Sequence, residues 1–99
     1  MSINAQTIID KIAALTFQLA EIIDAQVYGE LSVDEKMELS QNEYDLDEKI
    51  YRHFLILNQL QSIILEKNMP FNFDFSAMKM ATDEREQATI RRERIGTRS

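Results

Sequence analysis

The sequence predicts an all-α protein. The expected architecture is an antiparallel helical hairpin that dimerises into a four-helix bundle. An extended aromatic connector and a weakly ordered or helical basic C-terminal tail follow it. Three observations carry this expectation. The chain has 2 Gly and 1 Pro in 99 residues, too few for the many tight turns of a sandwich or barrel. Apolar residues recur at steps of three and four through two long segments. Hydrophobic residues make up 44% and charged residues 28%, which is ordinary globular usage and argues against wholesale disorder. The length suits one small unit, divided into a hairpin over 1–67 and a connector with a charged segment over 68–99.

The first helix is expected over about residues 3–28. Ala5, Ile8, Ile12, Leu15, Leu19 and Ile22 trace one apolar face. Ile9, Ala13, Ala20, Ile23 and Val27 form a second row beside it. The apolar surface is therefore wide enough to want neighbours on two sides. Phe17 falls half a turn from Ile8 and needs a partner of its own or stays exposed. Gly29 follows the last periodic residue and is expected to close the helix in the left-handed conformation.

The second helix is expected over about 33–67. Ser32 and Glu35 have the spacing of a capping box, and acids in the first turn suit the helix dipole. Leu39, Glu43, Leu46, Ile50, His53, Leu57, Leu60 and Ile64 alternate steps of four and three, as in a coiled-coil seam. Tyr44, Tyr51, Phe54 and Ile63 read as widening that face. One continuous helix of roughly 50 Å is expected, although residues 45–48 also resemble a cap. Pro70 bars easy continuation.

Beyond Lys67 the pattern changes. Phe71, Phe73 and Phe75 alternate with polar residues, a period of two. Two roles fit: an extended tether lying across the hairpin, or a segment that enters a partner's groove or sheet edge. Residues 76–99 hold six bases against four acids, leaving −8 on the preceding residues of a chain whose net charge is −6. Met78, Ala81, Ala88, Ile90 and Ile95 give only a sparse apolar pattern, so at most a short helix over about 83–94 is expected there.

Composition narrows the chemistry. Without Cys there are no disulfides, thiolate nucleophiles or Cys-ligated metal centres. His53 is the sole histidine. It sits on an apolar seam with no nucleophile elbow or Gly-rich loop, and reads as a packed residue rather than a base. Asp45, Asp47 and Glu48 lack the Gly turn of a calcium loop, and no Glu-x-x-His pair precedes His53. No catalytic, metal or cofactor residues are assigned. Residues 1–6 lack a basic and apolar leader, position 2 is Ser, and no apolar run reaches about 18 residues, so a cytoplasmic protein with no membrane association is expected.

Charge points to partners. Eight acids and one base occupy residues 30–48, a surface able to receive a basic partner. The net charge of −6 repels phosphate backbones, so nucleic acid is an unlikely ligand. The tail could instead contact the acidic surface of a neighbouring subunit. The function expected is a non-enzymatic protein–protein interaction module, such as an adaptor, co-chaperone or inhibitor. It would self-associate and bind another protein through Phe71, Phe73, Phe75, Arg91, Arg92 and Arg94. The alternative is a small nucleic-acid-associated regulator acting through the Arg-rich tail.

Overall fold

The computed structural model describes residues 5–68 and 72–96. They form three helices, α1 (Ala5–Tyr28), α2 (Val33–Glu66) and α3 (Ser76–Gly96), with no strand among the described residues. The molecule is an elongated bundle with extents of 54 × 22 × 16 Å. Helix α1 is central: it packs against both α2 and α3, whereas α2 and α3 do not pack backbone to backbone. Side-chain contacts fix the directions. Gln26 meets Glu43, so α2 runs antiparallel to α1. Gln6 meets Asp74 and Asp24 meets Arg91, so α3 runs parallel to α1.

Each helix end has a local cause. The capping box at Ser32 forms as expected: the Glu35 amide donates to the Ser32 hydroxyl at 3.2 Å, and the Ser32 amide donates to the Glu35 carboxylate at 3.3 Å. Helix α2 then runs unbroken through residues 41–48, where Gln41 donates to Asp45 one turn on. Its left-handed closing residue is Asn68, with φ 52°, a conformation Asn tolerates better than most side chains. Gly29, expected to take that role for α1, does not adopt positive φ. Its amide extends the helical pattern by donating to the Ala25 carbonyl at 2.9 Å. A Cβ there would fall 2.6 Å from that carbonyl oxygen, so close approach and not handedness demands glycine.

The core is built mainly by α1. Ile9, Ile12, Leu19 and Ile23 are fully buried, and Ile8, Leu46, Ile50 and Leu57 join them. Leu15, Ile22 and Leu60 pack against this cluster while partly exposed. The only buried polar side chain among the described residues is Thr16, whose hydroxyl donates to the Ile12 carbonyl at 2.7 Å, so it carries no unmet donor.

The second apolar row of α1 is covered from within the chain, by α3. The sparse pattern of residues 76–99 foretold a short helix at most; the structure forms one of 21 residues. On α1, Gln6, Ala13, Ala20 and Asp24 share one row, bounded by the Asp74 and Arg91 contacts. On α3, Ala81 and Ala88 are completely buried and stand seven residues apart, as do Ala13 and Ala20. Small side chains at matching intervals let two helix backbones come close, so main-chain dispersion adds to the burial of Ile9 and Ile23 in the same row.

Candidate interaction surface

Three arginines of α3 reach across the bundle. Arg91 holds the Asp24 carboxylate of α1 with two nitrogens at 3.0 and 2.9 Å, the bidentate fork suited to guanidinium. This contact raises the Arg91 pKa above its ordinary value, chiefly through the Asp24 hydrogen bond. Arg85 meets Asp47 of α2 at 2.9 Å. Arg92 donates to Glu43 of α2 at 2.7 Å and to Gln26 of α1 at 2.8 Å, while Gln26 itself donates to Glu43 at 2.9 Å. That last network takes one residue from each helix. The acidic stretch of α2 and the basic C-terminal segment thus find each other inside one chain.

The aromatic connector is likewise occupied. Residues 72–75 are in neither helix nor strand, and Phe73 and Phe75 pack against the core while Asp74 between them is exposed. The Gln6 side chain clamps this stretch: it donates to the Asp74 carbonyl at 2.9 Å and accepts from the Asp74 amide at 2.8 Å. A side-chain amide here does the work of a ladder partner. The Asp74 carboxylate then accepts from the Ser76 amide at 2.9 Å as α3 begins. Hydrogen bonds from the Ser76 hydroxyl and amide hold its pKa below the ordinary 3.8.

Of the six residues expected to bind a partner, Phe71 lies outside the described residues. Phe73 and Phe75 sit on the core, and Arg91 and Arg92 join the bundle's ion pairs. Arg94 is exposed in the last turn of α3, where its charge suits the helix dipole. His53 is half-buried, and its Nδ1 lies 2.7 Å from the Lys49 carbonyl, one turn earlier. No group of three metal-ligating side chains occurs among the described residues.

The surface that sequence reasoning missed is the outer face of α2. Val33, Met37, Tyr44 and Tyr51 are 63–74% exposed, and Leu55 is 45% exposed. At 100° per residue all five fall within about 20° of Tyr44, whereas Leu46, Ile50 and Leu57 lie roughly 200–240° round the helix. Tyr44 and Tyr51 therefore do not widen the core-facing stripe; they stand on the opposite side. Val33, Met37 and Tyr44 floor a shallow groove edged by Lys36, Ser40 and Gln41. A second groove, between α1 and α3, is lined by Phe17, Ala20 and Met80 with Glu21, Asp24, Asp83 and Glu84, and Phe17 there is half-buried.

No described helix is long and apolar enough to cross a membrane. Comparison with known protein families, with curated proteins and with solved structures finds no match for this chain.

Proposed function

We propose that this chain is a non-enzymatic protein–protein interaction module of the adaptor, co-chaperone or inhibitor kind, and that its contact surface is the outer face of α2. The observation that supports this reading is the line of large apolar side chains opposite the core, exposed from Val33 to Leu55. Exposed apolar rows with charged borders mark association surfaces more often than isolated apolar residues do. Exposed charges of both signs border the row, Asp34, Asp45 and Glu48 with Lys36 and Arg52, which favours a partner whose edges carry mixed charge.

Self-association remains part of the reading, on a different face. A four-helix bundle of two hairpins rested on an uncovered second row of α1, and α3 covers that row. The contacts of Phe73, Phe75, Arg91 and Arg92 within the bundle also move recruitment away from the C-terminal segment.

Affinity capture from the native host tests the proposal, comparing the wild-type chain with Met37→Asp/Tyr44→Asp. Both positions are well exposed, so helicity by circular dichroism is expected to hold. Partners lost selectively from the variant support the α2 face. An unchanged capture profile refutes it.

A further inference from the structure

We infer that the partner of the α2 outer face is a second copy of this chain, docked antiparallel about a twofold axis that passes beside Tyr44. The inference rests on the α2 surface proposed above and names its occupant.

The observation is the spacing of the exposed row. Met37 and Tyr51 each lie seven residues from Tyr44, and Val33 and Leu55 each lie eleven. Seven and eleven residues are close to two and three whole turns, so all five positions share a face. The row therefore presents the same spacing read from either end. A twofold contact requires this property, because each residue meets the residue at the mirrored register of the partner. In an antiparallel pairing Tyr44 meets Tyr44, Met37 meets Tyr51, and Val33 meets Leu55. Each small or flexible side chain faces a large one, except at the axis, where two aromatic rings stack or cross edge to face.

Charge supports the same register. Either side of Tyr44, residues 33–43 hold four acids and one base, whereas residues 45–55 hold three acids against Lys49 and Arg52. Antiparallel pairing lays the more acidic side of each helix along the less acidic side of its partner; parallel pairing would lay the two most acidic sides together. On one border of the row, Asp34 and Arg52 lie at the same angle from Tyr44, about 80°. Their positions, ten residues before and eight after Tyr44, bring Arg52 of each copy beside Asp34 of the other. Arg52 now makes only an exposed pair with Glu48, one turn away on its own helix, at 3.3 Å, which costs little to exchange.

The contact is one helix face about 33 Å long, at the small end of specific interfaces, so a dimer that dissociates in the micromolar range is expected. Sedimentation of the purified full-length chain from about 1 to 300 µM should show a monomer–dimer equilibrium. Tyr44→Asp should weaken it by at least about tenfold with helicity unchanged. Asp34→Arg and Arg52→Glu should each weaken it, and the double variant should recover most of the loss, which a merely structural effect would not do. The chain lacks cysteine, so register is readable by oxidative cross-linking. Tyr44→Cys should link to itself. Met37→Cys should not, because its two copies would stand about 21 Å apart along the helices, but it should link to Tyr51→Cys. A monomer throughout the concentration range overturns the inference, as does a dimer indifferent to Tyr44→Asp, or one in which Met37→Cys links to itself. Those outcomes leave the host-capture comparison to judge the interaction reading by itself.

Discussion

The two flanks of α1 are built on opposite plans. Toward α2 it presents Ile8, Leu15, Leu19 and Ile22, large side chains that meet Leu46, Ile50 and Leu57. Toward α3 it adds Ala13 and Ala20 to Ile9 and Ile23, and there it meets a helix whose buried residues are Ala81 and Ala88. The first flank is held by apolar area removed from water. The second is held by proximity and is locked by Arg91 on Asp24. The lesson is that a segment poor in large apolar residues can still be an integral layer of a bundle, provided its small residues repeat at the helical interval.

The largest expected effect comes from removing the second flank altogether. A chain ending at Lys67 would expose Ile9, Ala13, Thr16, Ala20 and Ile23 along one face of α1. It should lose cooperative thermal unfolding, read by circular dichroism. A sharp transition in the truncated chain would mean that the hairpin is self-sufficient and that α3 is an accessory.

Point substitutions then separate the two plans. Leu19→Ala, on the large-side-chain flank, should destabilise by about 2–5 kcal/mol through the cavity it leaves. Ala88→Leu, on the close-packed flank, should cost about 1–3 kcal/mol by overpacking, and Ala88→Ser much less. If Ala88→Leu were neutral in urea titration, the α1–α3 approach would be looser than described.

Smaller effects test the polar fastening. Arg92→Gln should cost about 1 kcal/mol, the scale of a partly exposed ion pair. It leaves Gln26 and Glu43 paired with each other, and the loss should shrink in high salt. The connector supplies the smallest effect. Because the folded Asp74 carboxylate titrates below 3.8, its contribution is present above that value and fades as pH falls through the lower folded value. The protection of the Ser76 amide, its exchange rate relative to that of an unstructured amide at the same pH, should therefore fall under acid conditions, while an Asp74→Asn chain shows a weaker pH dependence of that protection.

Much of this was legible in the residues. Ser32 and Glu35 marked the start of α2, Pro70 the region past its end, and the steps of three and four the core-facing rows of α1 and α2. The period-two spacing of Phe73 and Phe75 marked two side chains that share a side of the connector, and both pack against the core. Helix α3 was underread because hydropathy scores Ala weakly and Arg not at all. Its inward row runs Met78, Ala81, Arg85, Ala88 and Arg92, a regular alternation of three and four in which two of the five positions are cations. The outer face of α2 was underread for the converse reason: Tyr44 and Tyr51 are apolar enough to be counted into a core that lies on the other side.

Sequence alone determined the extent of α1 and α2 and the capped start of α2, because caps, proline and side-chain period act within a few residues; it did not determine the extent of α3. It also determined the absence of thiol chemistry. Tertiary structure decided which side of each helix meets a neighbour. Arg85, Arg92 and Arg91 choose carboxylates 38, 49 and 67 residues away, and the small-residue seam acts only once two backbones are brought together. Periodicity states which residues share a face; only packing in three dimensions states what that face is turned toward.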